Sequence, residues 1–221
     1  MVVYAILSDM LRLILLPLMS ALFAVSTADY QIRTVTVQPI DSYPARVTLG
    51  GVTIAVDPYS TDEKSFTAFD VKDMNSRGYF PLHVIIRNAS RDYLSLKTRN
   101  IMLLTESGQF YTTPATLVVE DVIKEGAAFE IAKTKKSNNA ASPANTGSPL
   151  TDFTGKELIN RILEPDSISE GFLFFFTDQP KKNLFAGSKL VIPELSNEGT
   201  KKSLGPFTIP LEAAADPNAG K

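Results

Sequence analysis

The run Gly171-Phe-Leu-Phe-Phe-Phe-Thr-Asp178 is apolar at both side-chain parities. Successive side chains of a strand point to opposite faces, so Phe172, Phe174 and Phe176 should face one way, and Leu173 and Phe175 the other. Such a strand needs cover above and below it, which places it inside a layered fold. Its expected neighbour is Pro81–Leu96, PLHVIIRNASRDYLSL. That stretch reads as a strand over Leu82–Arg87, a turn at Asn88–Asp92 and a second strand from about Tyr93. Branched side chains suit a pleated surface, and Asn, Ser and Asp bond their own backbone in turns.

Other strands follow the same rhythm. Gln31–Val37 alternates with period 2 and predicts a half-buried strand. Ala45–Leu49 and Val52–Val56 flank Gly50-Gly51, a hairpin turn that permits positive φ at both central positions, and Asp57-Pro58 ends the second strand. Ile101–Leu104 and Gln109–Thr112 predict a further hairpin around Ser107-Gly108. The last third predicts strands at Gly171–Asp178, Lys189–Leu195 and Pro206–Leu211. Pro193, Pro206 and Pro210 would assign the later strands to a sheet edge, because proline cannot donate to a ladder.

Helices interrupt this pattern twice. Ser60 and Glu63 have capping-box spacing before Phe66 and Phe69, which would share a face, and Gly78 is a plausible stop. Between Pro114 and Leu163 the strand rhythm lapses. Ala115, Val118, Val119, Val122 and Ile123 form a 3.6-period stripe behind Thr113-Pro114 that would end at Gly126, although β-branched content leaves a strand open. Thr134–Pro149 has no apolar anchor and reads as a linker. A second helix is expected over about Asp152–Leu163, with Leu158, Ile159, Ile162 and Leu163 on one face and Pro165 as its stop. Exposed positions of the stripe Val118, Val122, Leu158 and Ile162 are the candidate partner-binding site.

The N-terminus carries an address. Leu13–Val25 is an apolar run of signal-peptide length. Ser26 and Ala28 fit a cut before Asp29; Ala24 and Ser26 fit one before Thr27. Asp9 stands where basic residues are expected, and a start at Met10 gives a better leader. The competing reading is an uncleaved membrane anchor containing Asp9 and Arg12, a costly pair in mid-span. The organisation is then a leader at 1–28, a β-domain at 29–211 with a helical insertion at about 114–163, and a tail at 212–221.

Composition narrows the chemistry. The 22 Lys and Arg against 24 Asp and Glu give a net charge of −2 and recommend no nucleic-acid surface. No cysteine is present, which removes disulfides, thiol catalysis and a lipidated N-terminal cysteine. The single histidine, His83, has no Gly-x-Ser-x-Gly elbow to serve and reads as a structural or surface imidazole. Asp62, Glu63, Glu120, Asp121 and Glu125 are the acids best placed for acid–base work, but helix first turns and solvated helix faces account for them. Asn88-Ala-Ser90 matches a glycosylation acceptor and equally a self-bonded turn. Phe66, Phe69, Phe153, Phe172, Phe174, Phe175 and Phe176 could line a lipid cavity; without tryptophan they are also the obvious core fillers.

Val52-Thr-Ile-Ala-Val-Asp-Pro-Tyr, the helix with paired Phe, Pro81-Leu-His-Val-Ile-Ile-Arg-Asn-Ala-Ser and Gly171-Phe-Leu-Phe-Phe-Phe together resemble bacterial exported proteins of uncharacterised role that carry an immunoglobulin-like domain. The resemblance spans about Tyr43–Leu211. It implies a β-sandwich and an extracytoplasmic location. Many such proteins look like lipoproteins, and this cysteine-free chain departs from them. The expectation is an exported, mainly β, immunoglobulin-like sandwich with two or three helical insertions, acting as a non-catalytic envelope or interaction module. Its partner would be an unidentified envelope protein. No cofactor, metal or nucleic acid is expected, and membrane contact only through an uncleaved N-terminal segment. The alternatives are a carrier of an apolar ligand between the sheets and a carboxylate-dependent hydrolase.

Overall fold

Gly50 and Gly51 adopt φ of +57° and +81° and turn β1 (Ala45–Leu49) back into β2 (Val52–Pro58), as the dipeptide predicts. The structure is a computed structural model that describes residues 30–124, 147–178 and 184–214. The leader, Glu125, Gly126, the linker up to residue 146 and the tail beyond residue 214 lie outside the described residues.

After β2 come α1 (Asp62–Ala68), β3 (Tyr79–Asn88), β4 (Leu94–Leu96), β5 (Met102–Thr105), β6 (Gly108–Thr113) and α2 (Ala115–Lys124). They are followed by α3 (Pro149–Lys156), β7 (Arg161–Leu163), β8 (Ser167–Phe176), β9 (Lys189–Ile192), β10 (Leu195–Asn197), β11 (Ser203–Leu204) and β12 (Phe207–Pro210). The fold is mainly β, with three α-helices and two sheets among the described residues. The larger sheet runs β1-β2-β3-β8-β6-β5-β9-β12, and every ladder in it is antiparallel. It curls until β12 comes back against β1, nearly closing a barrel. The smaller sheet runs β11-β10-β4-β7.

The both-parity strand is the centre of this arrangement. β8 pairs with β3 over ten residues, from Tyr79↔Phe176 to Asn88↔Ser167. On the inner side Leu173 and Phe175 join Val52, Ile54, Val56, Leu82, Val84 and Ile86, and the smaller sheet closes this core with Leu94, Leu96, Leu163 and Leu195. On the outer side Phe172 and Phe174 meet Ala68 and Phe69 at the end of α1, Ala115, Val118, Val119 and Val122 of α2, and Phe153 of α3. Burying one such ring stabilises by roughly 1.5–3 kcal/mol, so the helices are a second cover and not decoration. Phe176 keeps the expected face, its ring against Tyr79 of the outer cluster at 4.9 Å, but at the strand end it is left 42% exposed.

Several expectations need correction. Gln31–Val37 is extended and alternates in burial, yet it forms no strand. It crosses the helical layer as a strap, held by Gln31 N and Arg33 Nη2 to the Asp70 carboxylate at 2.9 and 2.6 Å. Alternation reports a half-buried chain, and side-chain anchors here replace a ladder. The cap of α1 is Thr61, whose hydroxyl accepts from Lys64 N at 3.2 Å, in place of Ser60. That helix ends at Ala68, well before Gly78. The second hairpin turns at Glu106-Ser107, with Gly108 opening β6.

The expected helix over Asp152–Leu163 stops at Lys156. Backbone competition explains it: Leu158 N donates to Phe172 O at 2.8 Å, a parallel bridge pins Glu157 to Phe172, and Arg161–Leu163 pairs with β4. The insertion therefore supplies a strand to the smaller sheet, which is not complete without it. The proline expectation holds for β12, which ends the larger sheet, but β9 lies between β5 and β12. Pro193 merely separates β9 from β10.

Candidate functional site

His83 is 1% exposed, on the outer face of β3. Its register partners are Asp57 on β2 and Phe172 on β8. The imidazole stacks on Phe172 at 4.6 Å, and its Nε2 lies 2.6 Å from Glu170 Oε2. That hydrogen bond, countered by partial burial and assisted by the charges of His83, Arg161 and Lys156, holds the Glu170 carboxyl below the usual carboxylate range. Next to the pair, Lys64 Nζ bonds Asp57 at 2.6 Å and lies 5.0 Å above the Tyr59 ring. Burial, and then the Asp57 charge, pushes the Tyr59 hydroxyl up to about 12, so it stays protonated at neutral pH. A general base must reach its substrate's proton to within hydrogen-bond distance. An imidazole sealed between strands and spent on Glu170 is arranged as a brace across β3 and β8.

Asp62 and Asp121 among the candidate acids, and Asn88, do structural work; Glu125 lies outside the described residues. Asp62 accepts from Asn75 N at 2.6 Å and Ser76 N at 3.1 Å, closing the turn before β3. Asp121 accepts from the Tyr79 hydroxyl at 2.9 Å. Asn88 is fully buried; its amide donates to the carbonyls of Asp92, Leu163 and Glu164, while its oxygen accepts from Ser90 N and Oγ. An amide so occupied is a turn brace tying β3 to β7. Glu157, which sequence reading passed over, caps α2 from outside: its Oε1 accepts from Ala115 N at 3.0 Å.

Of the four proposed partner residues, Val118, Val122 and Leu158 are 0%, 5% and 1% exposed. The valines face the outer ring cluster and Leu158 faces the inner core. Ile162 is 56% exposed. The structure therefore does not bring the four together; it leaves Ile162 on β7, the terminal strand of the smaller sheet.

Around Ile162 the smaller sheet carries a groove. One cleft of about 580 Å³ is lined by the cations Lys97, Arg99 and Arg161, the amides of Asn100 and Asn160, and Ile162. No carboxylate lines it. A second cleft of about 300 Å³ shares Ile162 and is lined besides by Tyr93, Arg91, Asp92 and Glu198. Local structure holds the first cleft in shape. A 3₁₀ turn at Thr98–Asn100 follows β4, and Asn160 Oδ1 accepts from Thr98 N at 2.7 Å and from its hydroxyl at 3.1 Å. The loop bearing Lys97 and Arg99 is thereby fastened to the residue preceding Arg161. Sequence could offer Lys97-Thr-Arg99 as a basic pair, but Arg161 is more than sixty positions away, and only the β4–β7 pairing joins them.

No family model matches this sequence, and no curated protein matches it. Among solved structures the chain is similar to ycdA, a candidate lipoprotein from Bacillus subtilis, at 15% identity and a TM-score of 0.36, over 75% of this chain and 38% of that one. It thus spans 38% of the length of that protein. It is also similar to the yjhA protein of Bacillus subtilis at 11% identity and a TM-score of 0.34, covering 68% of this chain and 78% of the other. A functionally unknown protein from Listeria monocytogenes follows at 12% identity and 0.36, covering 83% and 84%. All three are bacterial, and none of their names states an activity. The likenesses are too distant to bear on the site.

Proposed function

We propose that this chain is an exported, non-catalytic binding module of the bacterial envelope, built on an immunoglobulin-like β-sandwich, that engages an envelope protein through the groove of its smaller sheet. The observation that carries the reading is the gathering of Lys97, Arg99, Arg161 and the exposed Ile162 at one terminal strand. Cations beside an exposed apolar side chain make a contact surface; they supply no nucleophile and no base. Export rests on the leader pattern, with Leu13–Val25 followed by small residues. A carrier of an apolar ligand between the sheets is the weaker reading, because Leu82, Val84, Leu173 and Phe175 of the larger sheet and Leu94, Leu96, Leu163 and Leu195 of the smaller one form a single buried cluster there. The bonds that occupy Asp62 and Asp121 likewise weaken the carboxylate-dependent hydrolase reading.

Site-specific photocrosslinking in intact cells tests the proposal. A benzophenone side chain at position 162 should give discrete adducts with an envelope protein, whereas the same group at Leu117, exposed on α2, should give none. N-terminal sequencing of the recovered protein should begin at Thr27 or Asp29. A cytoplasmic protein retaining its leader, or adducts that do not differ between the two positions, sinks the reading.

A further inference from the structure

We propose that the groove across β7 is a receptor for an acidic peptide segment of the partner, with carboxylates on Lys97, Arg99 and Arg161 and an apolar side chain over Ile162 and Tyr93. The inference rests on the binding-module reading and names the chemistry of what that module holds.

Charge supplies the first argument. Three cations line the larger cleft without a carboxylate, in a chain whose net charge is −2. Arg99 makes no hydrogen bond or ion pair among the described residues. Held charges of one sign in a concave wall raise the local concentration of the opposite sign. Two guanidinium groups beside an ammonium present the fork geometry that fits carboxylates in pairs.

The second argument separates a peptide from a small anion. Ile162 lines both clefts, so the two hollows adjoin on either side of it, and a single anion would fill only one of them. At the junction Ile162 and Tyr93 leave 56% and 55% of their surface exposed. An inorganic ion has no use for that surface. An extended chain does, because its alternating side chains deliver an acid to one cleft and an apolar group to the other. Asn100 and Asn160 add amides that can bond a peptide backbone. Their volumes, about 580 and 300 Å³, lie in the range of ordinary ligand sites and suit a few residues, not a whole domain.

The test uses the full mature chain and a fluorescein-labelled pentapeptide, Glu-Glu-Leu-Glu-Glu, read by fluorescence anisotropy. Saturable binding is expected, weakening as salt rises from about 20 to about 300 mM, where the screening length contracts severalfold. The Lys97→Glu/Arg99→Glu double variant should lose about tenfold or more in affinity, as central charge contacts do, with its melting temperature retained. Ile162→Ser should lose about threefold, and a Gln-Gln-Leu-Gln-Gln control should bind far more weakly. Full displacement by millimolar inorganic phosphate makes this a small-anion site and overturns the proposal. Equal binding of the Lys-Lys-Leu-Lys-Lys peptide, unchanged binding by the double variant, or no binding at about 1 mM peptide overturns it as well. A photocrosslink at position 162 to a partner whose contacting segment is basic would retain the binding module and remove only the acidic ligand.

Discussion

Single atoms decide much of how the layers meet. A Cβ on Gly171 would lie 2.8 Å from Leu158 N and 2.9 Å from its Cα, both backbone. Glycine at this position is what lets the segment after α3 cross β8 closely enough for Leu158 N to bond Phe172 O. Gly171→Ala should destabilise by about 1–3 kcal/mol in urea unfolding, the usual cost of forcing atoms into packed surroundings. Gly155→Ala is the control: nothing lies within 4 Å of its Cβ and it sits in α3. It should stabilise by about 0.5–1 kcal/mol through helix propensity; equal effects from the two would mean that the crossing tolerates a methyl group. Glu170 gives a pH prediction at the same scale. Its carboxyl titrates lower folded than unfolded. The stability it contributes is therefore present above the unfolded carboxylate value of about 4.3 and is lost as pH falls through the lowered folded value. The gap in melting temperature between the native chain and Glu170→Gln should be constant near neutrality and close on acidification. A gap that persists at pH 2 would detach it from this ionisation.

Among elements, α2 was legible and the element after α3 was not. The stripe Ala115, Val118, Val119, Val122 repeats at helical spacing, and the structure buries all four. Val118→Asp should consequently cost several kcal/mol, since it strands a charge among rings. Leu117→Asp, one position along and 53% exposed, should change stability by less than about 0.5 kcal/mol. Thermal unfolding of both reads the difference directly; equal melting temperatures would remove α2 as the outer cover. Leu158, Ile159, Ile162 and Leu163 misled because i, i+1, i+4, i+5 spacing fits a helix, while the backbone partners that won, Phe172 and β4, are set by the fold. The strands whose pairing follows from a local turn, β1 with β2 and β5 with β6, could be read in advance. The cleft could not, since its cations come from the turn after β4 and from β7, far apart in the chain. His83 was legible only as an imidazole on a strand; the brace to Glu170 depends on β3–β8 register.

At the scale of the whole molecule, the larger sheet has two end strands, β1 and β12, that touch without a ladder between them. Side chains fill the joint: Ala45 and Ile209 are both buried in the inner core. The backbone does not zip it. Water-sized motion there needs no rupture of a strand pair, only a small parting of two edges, and local opening of that kind has a low free energy. The edge-facing amides of β1 and β12 should therefore trade their hydrogens for deuterium much faster than those of β3 and β8, although Ala45 and Ile209 beside them are buried. Mass-spectrometric exchange on peptides covering residues 45–49 and 207–210 reads this, and slow exchange in both would mean a closed barrel. If the slit does breathe, the molecule is a curled ribbon fastened by its interior, and it should come undone from this seam before any other.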